Sequence, residues 1–316
     1  MRKRPLIVVP VDGSADGNTT VDYALALAAR RRADVDLLHV VRPRGPSVFD
    51  TPDVVLAGQT SSSRHVADPL AERALPERSS ETAGPAGTGI RHVTYKGEPE
   101  KAIAAYAELS EASVIIIGKY YGSPRWRRSG SIAISLGRLA PIPVLIVPPP
   151  VDGDPTTAAP PFAQIVSAAD FTVSSAVALR AALDIARASG GRVTLVHAMK
   201  DTPGRMVFSG TEARNAIDEM HAKAAKVAAR LRRAIPASAA GRVDSRVTTG
   251  EPHRGILDVA AQVDADLIVI GVPPRSRFDE VLFGSTLRGV VRRASCPVLV
   301  VSVIAGTNKW IVGATS

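Results

Sequence analysis

The same series of apolar, β-branched segments occurs twice along this chain, in the same order and at nearly the same spacing. The first series reads LIVVPV (6–11), VDLLHVV (35–41), VIIIG (114–118) and VLIV (144–147), and the second reads QIVSAA (164–169), RVTLVHA (192–198), LIVIG (267–271) and VLVV (298–301). The matching landmarks, which lie 153 to 158 residues apart, include Asp12 with Asp170, His39 with His197, and Gly118 with Gly271. Chance matches would not stay in register over so many elements, so we infer a tandem duplication.

The chain of 316 residues is long enough for two such units. We expect a first repeat over 1–148, a linker over 149–161, a second repeat over 162–303 and a tail over 304–316. The linker is too rich in proline, as PPPVDGDPTTAAPP shows, to continue a regular element.

Apolar strands that alternate with helical segments predict a parallel sheet covered on both faces, which is the α/β class. We expect two tandem doubly wound domains, each with a five-stranded parallel sheet and helices on both faces. The two sheets are expected to be separate and related by a pseudo-twofold axis, although their last strands could instead pair edge to edge. Helices are predicted over 19–32, near 64–75, over 174–189, and through the amphipathic stretch from Ile217 to Leu231.

The net charge of +9 is compatible with nucleic acid, an anionic membrane surface or a phosphate-bearing ligand. The basic residues are scattered and few aromatic residues lie among them, so we expect no nucleic-acid partner. No apolar run reaches the roughly 18 residues that a membrane helix needs, so we expect no membrane association. The single cysteine, Cys296, cannot form an internal disulfide, and this favours a reducing, cytoplasmic location.

Most signatures of enzymes are missing from the sequence. It contains no GxxxxGK[ST] phosphate loop, no GxGxxG, no GxSxG elbow, and no HExxH or CxxC metal spacing. We therefore expect no protein-ligated metal and assign no catalytic residue. Enzyme activity stays an open question at this point.

A strand, a loop and a helix start occur together in each repeat. The first copy reads GKYYGSPRWRRSGSIA from Gly118, and the second reads GVPPRSRFDEVLFGSTLRG from Gly271. A glycine-rich helix N-terminus suits an anion because its first backbone N–H groups are unpaired, but Ser131 and Ser285 could also serve simply as helix caps.

A carboxylate follows the first strand of each repeat, at the sheet edge where doubly wound folds bind ligands. Asp12 and Asp170 could each accept a hydrogen bond from a sugar hydroxyl or a base amine, or could cap the helix that follows. Together with the strand-loop-helix segment, they predict a nucleotide cleft.

These motifs resemble the universal stress protein family. The resemblance rests on PVDGS at 10, GEP at 97 and 250, DLIVIGV at 266 and SCPVLVV at 295, and it covers nearly the whole chain. It implies a cytoplasmic stress-response sensor or regulator that binds ATP, with any magnesium carried on the phosphates. Two alternatives remain open, which are a protein-interaction module with degenerate sites and a slow ATP hydrolase. A regulatory protein partner is compatible with each, and the chain could be a monomer with an internal pseudo-dimer or a homodimer.

By position, the resemblance assigns nucleotide-binding roles in both repeats. In the second repeat the residues are Asp170, Ala198, Gly271, Gly284, Ser285 and Thr286, and in the first they are Asp12, Val40, Gly118, Gly122, Gly130, Ser131 and Ile132. Five arginines of the loops could neutralise the triphosphate: Arg125, Arg127, Arg128, Arg275 and Arg277.

ATP-binding members of the family carry Gly, two residues, Gly, nine residues, and then Gly with Ser or Thr. In the first repeat the second glycine is one residue late, at Gly122, with seven residues before Gly130. In the second repeat Pro274 replaces that glycine, but the distance from Gly271 to Gly284 is kept. We therefore predict that the second repeat is the better nucleotide site.

Overall fold

The computed structural model describes residues 4–42, 77–84, 87–122, 130–149, 162–199, 211–273 and 283–303. The elements of the first repeat are β1 (Leu6–Val11), α1 (Ala15–Arg31), β2 (Asp34–Val41), β3 (Glu77–Ala83), β4 (Gly89–Lys96), α2 (Pro99–Leu109), β5 (Val114–Gly118), α3 (Ser131–Leu139) and β6 (Val144–Val147). Those of the second are β7 (Gln164–Ala168), α4 (Val173–Ser189), β8 (Arg192–Met199), α5 (Thr211–Ala234), a 3-10 helix (Ala237–Arg242), β9 (Val243–Thr249), α6 (Pro252–Gln262), β10 (Leu267–Val272), α7 (Phe283–Arg293) and β11 (Val298–Ser302).

Each repeat forms a five-stranded parallel sheet, as predicted. The strand order is β4-β2-β1-β5-β6 in the first repeat and β9-β8-β7-β10-β11 in the second. The expectation of two separate sheets was wrong, because β6 and β11 pair in antiparallel fashion, with Leu145 opposite Leu299. This edge-to-edge pairing satisfies the backbone groups of two buried apolar strands, and it merges the repeats into one 11-stranded sheet.

The helices cover both faces of the sheet, and each face has a core that runs through both repeats. Leu27 on α1 and Leu179 on α4 belong to the core of one face, to which Leu231 on α5 also contributes. Ile103 on α2 and Leu287 on α7 belong to the core of the other face. The α/β fold class is therefore confirmed, with α1, α4 and α5 on one side and α2, α3, α6 and α7 on the other.

Two local features differ from the sequence prediction. Helix α1 begins at Ala15, four residues before the predicted start, and β3 was not predicted at all. Strand β3 adds an antiparallel edge to β4, and its polar sequence ERSSETA carries none of the apolar pattern that identified the other strands. The helix expected near 64–75, the linker after residue 149 and the tail after residue 303 lie outside the described residues.

The predicted helix of residues 174–189 is confirmed as α4. It ends where Gly190 adopts a left-handed conformation (φ +74°) and its N–H bonds to the carbonyl of Ala186, as a helix C-cap requires. The amphipathic stretch predicted from Ile217 to Leu231 lies within α5. Among the helices of the described ranges, none has the length and apolar character needed to cross a bilayer.

Candidate functional site

A cleft of about 400 Å³ opens at the carboxyl ends of β7, β8 and β10 in the second repeat. Four of the residues assigned there from sequence line it together: Asp170, Ala198, Gly271 and Thr286. This position is the topological switch point of the repeat, because β8 lies on one side of β7 in the sheet and β10 lies on the other.

The carboxylate of Asp170 is held at one wall of the cleft by Thr172. Both the backbone N–H and the hydroxyl of Thr172 donate to Oδ1 of Asp170. Thr172 is itself the N-cap of α4, since its side chain accepts a hydrogen bond of 3.3 Å from the N–H of Ser175. Asp170 is therefore not the helix cap, and Oδ2 makes none of these bonds.

The remaining walls of the cleft are largely apolar. They are formed by Val196 on β8, Ile270 on β10, Ile256 on α6 and Leu287 on α7. His197 also lines the cleft, and its Nδ1 lies 2.7 Å from the carbonyl oxygen of Ala169. This contact fixes the turn that follows β7, and it gives His197 a structural role.

Gly271 has a packing role that sequence reasoning missed. A Cβ atom at this position would overlap the backbone carbonyl of Ser174, in the first turn of α4. Glycine is required here because helix and strand approach so closely, whatever binds in the cleft. A glycine directly after the large apolar residues of the run LIVI was the available signal.

Helix α7 brings the third group of assigned residues to the cleft. It begins at Phe283, so Gly284, Ser285 and Thr286 all lie in its first turn, where backbone N–H groups lack partners within the helix. Thr286 lines the cleft, whereas the side chain of Ser285 is exposed. Ser285 is the third residue of α7, and in the first repeat Gly130 rather than Ser131 is the N-cap of α3. The alternative that these serines act as N-caps is not supported.

In the first repeat the assigned residues contact one another. The N–H of Gly122 donates to Oδ2 of Asp12 over 2.7 Å, and the N–H of Ser14 donates to Oδ1 over 3.0 Å. Gly122 has a φ of +67°, and a Cβ atom on it would lie 2.6 Å from Cδ1 of Ile132. The N–H that the resemblance directs to a phosphate is therefore bonded to Asp12.

These bonds also set the ionisation of Asp12. Burial alone would raise the pKa of its carboxyl, but the hydrogen bonds from Ser14 and Gly122 outweigh burial, and the pKa is lowered from its ordinary value. The carboxylate is thus stabilised in its charged form by the hydrogen bonds from Ser14 and Gly122. Nearby, burial raises the pKa of Tyr121 to about 12, and the charge of Asp12 adds to this.

Lys119 is a buried lysine beside the assigned residues of the first repeat, and the sequence analysis did not select it. It follows Gly118 at the end of β5, is only 7% exposed, and has a pKa lowered by burial. Its carbonyl oxygen would lie 3.0 Å from a Cβ atom on Gly130, which holds a φ of +63°. A lysine directly after a glycine-ended strand was the signal, and the second repeat has Val272 there.

The remaining assigned positions take less prominent places. Val40 is half-buried on β2 beside His39, whose Nδ1 lies 3.4 Å from the carbonyl oxygen of Val11, and Gly118 is buried at the end of β5. Pro274 and the five loop arginines lie outside the described residues. In the described ranges, no group of three or more His, Cys, Asp or Glu side chains could hold a metal ion.

The fold and the cleft together define a tandem, doubly wound α/β protein with a ligand-sized cleft at the switch point of its second repeat. The model of the universal stress protein family matches residues 3–148 and 161–302, and the chain belongs to this family. Family membership gives it a stress-response role at this general level.

Known proteins with the same tandem arrangement match nearly the whole chain. Universal stress protein Rv1996 of Mycobacterium tuberculosis is 26% identical over 313 residues, covering 94% of this chain and 95% of its own. Universal stress protein Rv2623 of the same organism is 26% identical over 298 residues, covering 93% and 95%. A solved universal stress protein from Archaeoglobus fulgidus shares the fold with a TM-score of 0.55 at 19% identity, covering 94% of this chain and 96% of that one.

Proposed function

We propose that the second repeat binds an adenine nucleotide, ATP, in the cleft at the carboxyl ends of β7, β8 and β10. The chain would then act as a cytoplasmic stress-response sensor or regulator. The observation that carries the proposal is that Asp170, Ala198, Gly271 and Thr286 line one cleft of about 400 Å³. This volume falls in the range of about 300–1,000 Å³ that small-molecule sites occupy.

Each wall of the cleft suits one part of the nucleotide. The apolar side chains of Val196, Ile256 and Ile270 offer a surface for the flat base. The Oδ2 atom of Asp170 can accept a hydrogen bond from a ribose hydroxyl or from the base amine. The first turn of α7 offers backbone N–H groups and the positive end of the helix dipole to the phosphates, with any magnesium carried on the nucleotide.

The first repeat is proposed to bind nucleotide weakly or to serve another purpose. Asp12 and Gly122 already satisfy each other there, and Ile132 fills the space beside Gly122. A ligand would have to break a charge-assisted hydrogen bond before it could use either group. This arrangement favours the regulatory role of contacting a partner protein for the first repeat.

We extend the proposal to the organisation of the chain. The repeats are proposed as domains over 1–148 and 162–303, joined in a monomer that is an internal pseudo-dimer, because β6 and β11 already occupy the edge that a second copy would need. Neither a nucleic-acid nor a membrane partner is proposed, and hydrolysis of ATP is outside the proposal.

Calorimetric titration with ATP tests the nucleotide proposal, using Ala198→Phe and its counterpart Val40→Phe as a matched pair. Both positions are half-buried near the end of equivalent strands. A phenyl ring at 198 would fill the cleft, so we expect it to weaken ATP binding at least about tenfold, whereas the ring at 40 should change it less than twofold. Equal losses in both variants, or no saturable ATP binding by the wild-type chain, would favour the interaction-module alternative.

A further inference from the structure

A second cavity, of about 560 Å³, lies between α4 and α5 in the second repeat. It is on the opposite face of the sheet from the proposed nucleotide cleft. Leu179 and Leu195, which line it, belong to the core of the α4 and α5 face. Ile256 and Leu287, which line the cleft, belong to the core of the other face. The two cavities therefore lie mainly on opposite faces of the sheet, and they adjoin at the turn after β7, where Ala169, Thr172 and Ser175 line both.

The cavity combines an apolar floor with a positively charged rim. Four leucines form the floor: Leu179, Leu183, Leu195 and Leu231. Three arginines line the cavity as well: Arg180, Arg187 and Arg230. Asp184 is the acidic residue among the lining residues that the structure describes, and it is paired with Arg187 at 3.2 Å. The charge on this rim is thus positive, with Arg180 and Arg230 outside that pair.

One wall of the cavity contains a strained aromatic residue. Phe171 has a φ of +64°, a left-handed conformation that bulky residues avoid. Gly13 occupies the equivalent place in the first repeat with a φ of +74° and no strain. The second repeat has therefore a costly residue at a position where glycine would serve the backbone better.

The contacts of the Phe171 ring account for its strained backbone conformation. The guanidinium carbon of Arg230 lies 4.0 Å from the centre of this ring, a cation–π contact. The ring of His197 also lies near Phe171, 4.8 Å away between centroids and tilted by 40°. The cation–π contact holds the Arg230 guanidinium at the mouth of the cavity. The strained backbone of Phe171 therefore serves to position a cation there.

We propose that this cavity binds an amphipathic anion, a single apolar chain that bears a carboxylate. The chain would lie on the leucine floor, and the carboxylate would accept hydrogen bonds from Arg230 and Arg180. Guanidinium groups recognise carboxylates through paired N–H donors, and a volume near 560 Å³ suits one small ligand. The apolar floor disfavours a fully hydrophilic anion, and the arginines favour a charged head over a neutral one.

Calorimetric titration of the full-length chain with decanoate tests this site, with decanamide as the neutral analogue. We expect saturable decanoate binding, and binding of decanamide about tenfold weaker. Arg230→Gln should weaken decanoate binding about tenfold and leave decanamide unchanged. Arg233→Gln is the matched control, because it alters an exposed arginine of the same helix that does not line the cavity.

A second pair of variants tests the location. Ala176 is exposed on α4 and lines the cavity, whereas Ala188 is exposed on the same helix and does not. We expect Ala176→Phe to abolish decanoate binding and Ala188→Phe to preserve it. The Phe171→Gly variant should still fold, because glycine is the residue at the equivalent position 13, but it should bind decanoate several-fold more weakly. The Phe171→Tyr variant should bind decanoate as the wild-type chain does.

Three results would overturn the proposal: no saturable binding of decanoate, equal binding of decanoate and decanamide, or wild-type affinity in both Arg230→Gln and Ala176→Phe. The test is distinguishable from that of the nucleotide proposal, because Ala198 lines the cleft and does not line the cavity. That variant is expected to bind decanoate like the wild-type chain.

Discussion

The Asp12 carboxylate accepts a 2.7 Å hydrogen bond from the backbone N–H of Gly122, 110 residues further along the chain. The counterpart Asp170 bonds instead to the neighbouring Thr172, and Oδ2 takes no part in those bonds. The two equivalent carboxylates therefore have different roles, since Asp12 links two loops and Asp170 faces a cleft.

Asp12→Asn should lower the free energy of unfolding by about 1 kcal/mol at pH 7, because a charge-assisted bond across two half-exposed loops is lost. The folded-state pKa of Asp12 is depressed, so its contribution exists above the unfolded value of about 4 and is lost as pH falls below it. Urea unfolding of wild type and variant at pH 7 and pH 3 checks this, and the difference between the two in free energy of unfolding should be smaller at pH 3.

Asp170→Asn is the control for that experiment. Its partner Thr172 is only two residues away in the chain, so we expect a change in unfolding free energy below about 0.5 kcal/mol at pH 7. A larger loss of unfolding free energy in this variant than in Asp12→Asn would contradict the conclusion that the Asp12–Gly122 hydrogen bond stabilises the first repeat.

Arg91→Met should cost roughly 3 kcal/mol of stability. Arg91 donates to the fully buried carboxylate of Asp36 at 2.7 and 3.1 Å, and the Tyr106 hydroxyl donates to it at 2.7 Å. Removing the cation leaves a buried charge without its counterion. Chemical denaturation measures the loss.

The comparison for Arg91→Met is Arg192→Met. Arg192 pairs with Asp244 at 3.3 Å, and both side chains are more than half exposed. We expect at most about 0.5 kcal/mol there, since exposed ion pairs are screened. Similar costs for the two variants would show that burial does not govern the Asp36 pair.

Cys296 should react slowly with iodoacetamide. Burial, with the nearby Asp266 charge adding to it, raises the pKa of this thiol to about 11, so about one part in ten thousand is thiolate at pH 7. Mass spectrometry over time should show alkylation about a hundredfold slower than for the same chain in urea. Equal rates in both conditions would refute the buried environment.

Leu145→Ala should destabilise both repeats at once, by about 2–5 kcal/mol, because Leu145 is fully buried at the junction of β6 with β11. Calorimetry should show a single transition in wild type and variant, moved to lower temperature in the variant. Leu109→Ala, at a half-exposed position on α2, should leave the transition nearly unchanged. Two separated transitions would argue against one cooperative sheet.

The sequence by itself determined the duplication, the strands of the parallel sheets and most helix positions. These follow from local periodicity, since a buried strand must be apolar along its whole length and Gly190 marks a helix end wherever it falls. Strand β3 was not predicted because an edge strand can be polar, and its formation depends on pairing with β4.

Only the tertiary structure decided how equivalent residues are used. Asp12 and Asp170 have the same place in the repeat, yet the hydrogen-bond partners of each carboxylate depend on whether a distant segment of the chain reaches it. In the first repeat Gly122 reaches Asp12. The junction of β6 with β11 and the stack of Arg230 on Phe171 likewise join residues far apart in the chain. Such contacts depend on three-dimensional distance, which the spacing of residues along a sequence does not specify.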